Sequence, residues 1–328
     1  MTVHAKPVPT AMPTIDDIRA AARRIDGLAR RTPLLESPAL NEKFGARLLF
    51  KPEVLQRTGT FKFRGAYNKI ASLSEEERGR GVITISAGNH AQAVAWAARE
   101  AGLDALVVSW QTADQSKMDA TRGYGAAVDQ EAPDPSTAFD RLHELVAETG
   151  RTLVHPFDDE AVLAGQGTVA LEILEDGPVP DVVLVPVGGG GLVGGITVAV
   201  KARRPDARVL AVEPELSPAL HEALRAGRSV PVTPASAADA LSAPFAGARS
   251  VEICGALGVE SVLVSEDELA AGFRWLYGRM KFACELGAAA STAAILAGKA
   301  GIERGQNVVA VVSGGNVAAK QAAAILAS

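Results

Sequence analysis

Eight short apolar runs constrain this chain more than any other feature. They fall at 47–50, 82–85, 105–108, 152–154, 182–187, 208–212, 261–264 and 307–312. Each is continuous rather than alternating, the pattern of strands buried on both faces of a parallel sheet. Between most of them lie segments with helical spacing, at 61–73, 89–101, 115–122, 136–149, 161–175, 191–203, 266–280, 287–300 and 316–327. Parallel neighbours need a crossover, most often a helix, so the alternation predicts an α/β fold. So many units in 328 residues predict two open, twisted parallel sheets in two lobes, with the site in the cleft between them. An apolar content of 48% supplies each lobe with a core. Ahead of the first run, Thr14 and Asp17 make a capping box. The helix it opens carries a stripe of Ile15, Ile18, Ala22, Ile25 and Leu28.

Several function classes are set aside by composition. A net charge of −5 offers no nucleic-acid or phospholipid surface. No stretch approaches a membrane span. The N-terminal "MTVHAKPVPTAMP" is Pro-interrupted and lacks the apolar core of a signal peptide, so a cytoplasmic protein is expected. Cys254 and Cys284 form neither a disulfide framework nor a metal pattern and read as small buried hydrophobes. Of the five histidines, His143 and His155 read as a helix face and a strand end. None pairs with another at metal spacing, and no metal site is expected.

In open parallel sheets ligands bind beyond the carboxyl ends of the strands. Three loops there are unusual. The first, Ser86-Ala87-Gly88-Asn89-His90, closes one strand and opens a helix, where free N–H groups suit a carboxylate. An ordinary cap by Ser86 or Asn89 is the plainer alternative. His90 falls in this loop, with an acid–base role and a supporting role both open. The second, Gly188-Gly189-Gly190-Gly191-Leu192, exposes consecutive amides at a helix start and suits a phosphate. A tight-packing turn is its plainer reading, and does not by itself call for four glycines. The third, Ser313-Gly314-Gly315-Asn316, places a hydroxyl at the same edge.

A fourth segment, Thr58 to Ala66 ("TGTFKFRGA"), starts a helix that Thr60 could cap, with Phe63, Tyr67 and Ile70 on one face. Lys62 and Arg64 fall in its first turn, where the helix dipole penalises cations. A lysine there among aromatic rings should have a depressed pKa. A phosphate cup, a carboxylate cup, a hydroxyl and one such lysine match the needs of pyridoxal 5'-phosphate.

With these motifs the chain resembles the threonine/serine dehydratases among fold-type II pyridoxal-phosphate enzymes. The resemblance runs from about Ile18 to the C-terminus through "KPEVLQRTGTFKFRGAYNKI", "SAGNHAQAVAWAA", "HPFDDEAVLAGQGTVALEI", "PVGGGGLVGGI", "AVEP" and "SGGN". It implies a tryptophan-synthase-β-like fold, with 1–66 and 158–328 as the large cofactor-binding domain and 67–157 as a small mobile one. It implies Lys62 as the Schiff-base lysine and Phe61 beside the cofactor ring. Asn89 would bond the ring's 3' oxygen, Gly188 to Leu192 the phosphate, and Ser313 would face the ring nitrogen. Ser86, Ala87, Gly88, Asn89 and His90 would line the substrate pocket, with Ser86 also catalytic and Glu285 among the cofactor contacts. The implied activity is β-elimination from L-threonine or L-serine, giving a 2-oxo acid and ammonia. A homodimer or higher homo-oligomer is implied as well. With the sequence stopping soon after Ser313, the regulatory domain of biosynthetic threonine dehydratases is not expected.

Three departures qualify the resemblance. Ala87 stands where related racemases carry a proton-donating serine, which ranks racemisation low. Ala219 replaces an acidic partner of the cation-binding glutamate at Glu213. Glu285-Leu286-Gly287-Ala288 lacks a proline of the family's motif, which suggests a reshaped substrate wall and a bulkier β-hydroxy amino acid as an alternative. From a different class, Gly189, Gly191 and Gly194 with Glu213 satisfy a dinucleotide fingerprint, so an oxidoreductase remains the rival reading.

Overall fold

A computed structural model of the chain describes residues 12–327. The stretch 1–11, with His4 and most of the segment read as lacking a signal peptide, lies outside the described residues. The strands are β1 (Leu35–Glu36), β2 (Arg47–Pro52), β3 (Val82–Ile85), β4 (Ala105–Trp110), β5 (Ala127–Ala132), β6 (Thr152–Leu153), β7 (Val182–Pro186), β8 (Arg208–Pro214), β9 (Glu260–Val264) and β10 (Asn307–Val312). They form a six-stranded sheet in the order β1-β2-β10-β7-β8-β9 and a four-stranded sheet in the order β5-β4-β3-β6. Every pairing is parallel except β1 with β2.

The apolar runs are continuous because each face of the larger sheet has its own core. Val183, Val185, Val309 and Val311 point into one cluster, and Val182, Leu184, Val308, Ala310 and Val312 into the other. Successive side chains of β7 and β10 therefore alternate between two buried layers. Among the helices, Ile15–Ile25 starts on the expected Thr14–Asp17 capping box and buries Ile18, Ala21 and Ile25. Ala22 and Leu28 are only half-buried.

Several elements differ from expectation. Strand β5 reads "AVDQEA" and escaped the apolar pattern because it is an edge strand, with one buried residue, Ala132. Short helices at Pro38–Phe44, Glu75–Arg80, Ala219–Ala226 and Ala248–Ala256 were not expected either. The 266–280 helix is α-helical to Trp275 and continues as a π-helical turn, Leu276–Met280, closed by Lys281 at φ 62°. The 287–300 segment is a 3₁₀ turn, Leu286–Ala289, followed by helix Ala290–Leu296. The last helix starts at Ala319 rather than 316.

One packing detail positions the site. Helices Lys62–Ala71, Glu160–Asp176 and Gly191–Arg203 meet backbone to backbone through glycines. A Cβ on Gly165 would lie 2.6 Å from Arg64 O, and one on Gly195 would lie 2.2 Å from Leu163 O. The start of the Lys62 helix is thereby locked, through the central helix, to the helix that follows the glycine loop.

Candidate active site

Sheet order brings the unusual loops together. Strands β2 and β10 are neighbours, in register from Arg47 and Asn307 to Pro52 and Val312. Their carboxyl ends therefore release the "TGTFK" and "SGGN" segments side by side. Phe61 N–H donates to Ser313 O at 3.1 Å, and Gly315 N–H donates to Gly59 O at 2.9 Å. Ser313 is buried. The N-cap of the Lys62 helix is Phe61, without a side-chain cap. Thr60 contributes instead by accepting the Lys62 N–H at 3.3 Å.

Lys62 Nζ donates to Pro156 O at 2.7 Å and lies 5.2 Å from the Phe61 ring centroid. Burial lowers its pKa to about 8, although the Glu285 carboxylate pulls the other way. Glu285 is buried and accepts from Asn89 Nδ2 on both oxygens at 2.9 Å. Burial raises its pKa to about 7, against the Asn89 hydrogen bond and the Lys117 and Lys62 charges. An amine and a carboxyl that both titrate near neutrality thus sit together at the strand ends.

The "SAGNH" loop does not make an ordinary side-chain cap. Gly88 occupies the N-cap of helix Asn89–Glu100, and the Ser86 hydroxyl accepts only the Gly88 N–H, at 3.1 Å. The N–H groups of Asn89, His90 and Ala91 find no acceptor among the described residues. Ser86, Ala87, Gly88 and Asn89 are half-buried at the mouth of this helix. His90 is buried and turned inward, with Nε2 bonded to Val154 O at 3.0 Å. Burial and the Lys62 charge depress its pKa to about 3, so the ring is neutral. A neutral ring held on a backbone carbonyl favours the supporting role of the two left open.

At the glycine loop the packing reading explains more than the sequence granted. A Cβ on Gly189 would lie 2.2 Å from the Phe157 ring, on Gly190 2.6 Å from Ser250 Cβ, and on Gly191 3.0 Å from the Phe157 backbone. On Gly188 it would meet Leu241 Cα at 3.1 Å. Gly190 also needs φ +93°. The N–H groups from Gly188 to Leu192 nonetheless find no acceptor among the described residues. Gly190, Gly191 and Leu192 are buried. Buried orphan amides at the start of helix Gly191–Arg203 suit an anion.

Sequence reasoning assigned no part to the Pro156–Phe157 pair, which joins Lys62 to the glycine loop. It also assigned none to Lys117 of helix Gln115–Gly123, which forms an ion pair with Asp239 beside the "SAGNH" loop. "HPFDD" was conspicuous, but nothing in it ranks a proline carbonyl above its neighbours. Cys254 and Cys284 are buried and unpaired as thiols.

The fingerprint acid Glu213 has another task. Its carboxylate is buried and accepts the N–H groups of Leu220 and His221 at 2.7 and 2.8 Å, at the start of helix Ala219–Ala226. It is not free to bind a ribose hydroxyl. Residues 25–314 match the family described as "Pyridoxal-phosphate dependent enzyme". The chain belongs to that family. The fold, the cofactor and the enzyme class implied by the motifs are therefore those of this chain, and the oxidoreductase reading falls.

The enzyme is 42% identical over 307 residues to an L-threonine ammonia-lyase of Thermotoga maritima, covering 93% of this chain and 76% of that protein. It is 40% identical over 322 residues to a catabolic L-threonine dehydratase of Staphylococcus aureus, covering 97% and 93%. Its fold superposes on the T.th. threonine deaminase with a TM-score of 0.87 at 40% identity, covering 93% and 99%. It superposes on maize serine racemase with a TM-score of 0.90 at 33% identity, covering 94% and 95%.

The residues present fit pyridoxal phosphate. A half-buried amine of lowered pKa, orphan amides on the glycine loop and a buried hydroxyl at Ser313 are the donor set it requires. No helix among the described residues is long and apolar enough to cross a membrane.

Proposed function

We propose that the enzyme is an ammonia-lyase that removes the β-hydroxyl of L-threonine or L-serine and releases a 2-oxo acid and ammonia. The observation that carries the reading is Lys62, a half-buried amine of lowered pKa beside Glu285 where three strand-end loops meet. The names of the relatives support the substrate class. Pyridoxal phosphate supplies the electron sink for the bond broken at Cα.

The chain's own groups do the rest. Lys62 would hold the cofactor, and its free amine would take the Cα proton as general base. Gly188 to Leu192 would hold the phosphate with their amides, and Phe61, Asn89, Glu285 and Ser313 would hold the rest of the cofactor. Ser86, Ala87, Gly88 and Asn89 receive the substrate carboxylate at a helix N-terminus, with His90 supporting the loop. Ser313, a hydroxyl rather than a carboxylate, leaves the ring nitrogen without a charged partner, which favours elimination. Ala87 supplies no proton to the far face of Cα, so racemisation is not part of this reading.

The same reading takes 67–157 as the small domain and the remainder as the large one. Every strand of the four-stranded sheet falls inside 67–157, which supports it. It also takes the enzyme as a cytoplasmic homodimer or higher homo-oligomer.

The test is release of ammonia and 2-oxo acid from L-threonine, L-serine and bulkier β-hydroxy amino acids, with Lys62→Ala in parallel. Turnover on at least one substrate, lost in Lys62→Ala along with the borohydride-sensitive visible band, is the expected result. Wild-type turnover in Lys62→Ala would overturn the mechanism.

A further inference from the structure

The last residue of the "SGGN" motif has no part in the chemistry above, yet it ties its own loop to the two other active-site segments around Thr58 and Asn89. Asn316 Nδ2 lies 2.9 Å from Thr58 O and 2.9 Å from Asn89 Oδ1. A weaker approach to Gln92 Oε1 measures 3.5 Å. Thr58 stands at φ 56°, a costly conformation for a β-branched residue, and Gly59 follows at φ +74°. A Cβ on Gly59 would fall 2.5 Å from Asn316 Oδ1, so the strained pair is moulded onto this amide.

The direction of the network follows from one atom. A backbone carbonyl only accepts, so Thr58 O obliges Asn316 to turn its NH₂ inward. That NH₂ requires an acceptor at Asn89, which therefore presents Oδ1. The Asn89 NH₂ is left facing the two oxygens of Glu285. We infer that Asn316 is a positioning residue: it fixes the orientation of the Asn89 amide and so keeps a donor on the Glu285 carboxylate beside Lys62.

Glu285 is faced by Lys62, Lys117 and Asp239, with the Cys284 thiol next to it. Both lysines favour its charged form, and Asp239 and burial oppose it. The Asn89 donor is the hydrogen bond that favours the charge, and it holds only while Asn89 cannot flip. The inference uses the proposed function for the role of Lys62 alone, since the hydrogen-bond direction does not depend on the substrate.

The experiment follows thermal stability against pH in the full-length holoenzyme, for wild type, Asn316→Leu, Glu285→Gln and the double variant. A carboxyl with a raised folded-state pKa binds a proton that the unfolded chain has lost. Its contribution therefore falls as pH rises from about 4.5 to about 7, then levels. In Asn316→Leu the levelling should move up by about one pH unit, tenfold in proton affinity. On the Glu285→Gln background the same substitution should leave the shape of the profile unchanged.

An unshifted profile in Asn316→Leu, or a shift that persists without Glu285, overturns the inference. Should Asn316→Leu not fold, Asn316→Asp carries the test. Its carboxylate, offering Thr58 no donor, draws the Asn89 NH₂ away from Glu285 and should give the same shift. If the stability profile shifts while the pH dependence of turnover does not, the role given to Lys62 fails and the positioning by Asn316 stands.

Discussion

Replacing Arg64 by methionine should destabilise the enzyme by about 3–5 kcal/mol, the usual result of stranding one member of a buried ion cluster. Arg64 is fully buried in the first turn of its helix, where the dipole opposes a cation. Two carboxylates compensate. Glu53 accepts at 2.7 and 2.8 Å, and Glu172 at 2.6 and 3.0 Å. Lys51, also buried, bonds Glu172 at 2.6 Å, so the cluster holds two charges of each sign. Methionine keeps most of the volume but leaves two carboxylates to share Lys51. Against a typical stability of about 5–15 kcal/mol the loss is large.

The pH dependence separates this cause from simple repacking. Burial pushes the Glu53 pKa up, but Arg64, Lys51 and the Thr32 hydroxyl together outweigh it and the net shift is downward. In wild type Glu53 therefore adds stability above its unfolded pKa, lost as pH falls through the folded one. Without Arg64 the folded pKa rises and this contribution is lost. The difference between the proteins should be smallest in acid, below the wild-type folded pKa of Glu53, and grow from there toward neutrality. Urea unfolding at several pH values, with pyridoxal phosphate held constant, reads both quantities. A loss below about 1 kcal/mol, or the same loss at pH 4.5 and 7.5, would refute the reasoning. Arg64→Met combined with Glu53→Gln should recover part of it by removing the stranded charge.

Gly189→Ala places a methyl 2.2–2.5 Å from the Phe157 ring, an overpacking of about 1–3 kcal/mol, and should weaken cofactor retention on dialysis. Retention and stability equal to wild type would show that the ring yields freely. Burial raises the Glu213 pKa to about 8, so stability from this group falls as pH rises from about 4.5 to 8. Glu213→Gln should flatten that part of the melting profile, and an unchanged slope would count against it. Lys117→Ala removes an ion pair with Asp239, which is 60% exposed, worth about 0.2–1 kcal/mol. It should raise KM by about 1.4- to fivefold at low salt, with the difference from wild type shrinking at high salt. An unchanged KM at low salt would separate this pair from substrate binding.

The parallel strands were readable because burial on both faces leaves a continuous apolar trace. Four residues of β3 and six of β10 were placed to the residue on that trace alone. Strand β5 was invisible for the complementary reason, since an edge strand facing water needs little apolar character. Lys62 stood out as a local oddity, a cation against a helix dipole between two aromatic rings. Arg64, two residues on, carried the same oddity with no local explanation. Its carboxylate partner Glu172 lies 108 residues away.

By itself the sequence determined the strand-and-helix alternation, the parallel sheets and the loops at their carboxyl ends. Those features depend on periodicity and backbone freedom, which are written within a few neighbouring residues. Only the tertiary structure decided which oddities belong to chemistry and which to packing. It drew Arg64 into a buried ion cluster, Glu213 onto a helix end, and the four glycines against Phe157, Ser250 and Leu241. It also set Asn316 between Thr58 and Asn89, 258 and 227 residues distant in the chain. Hydrogen bonds and ion pairs are satisfied by proximity in space, and the spacing of residues along a chain does not encode that.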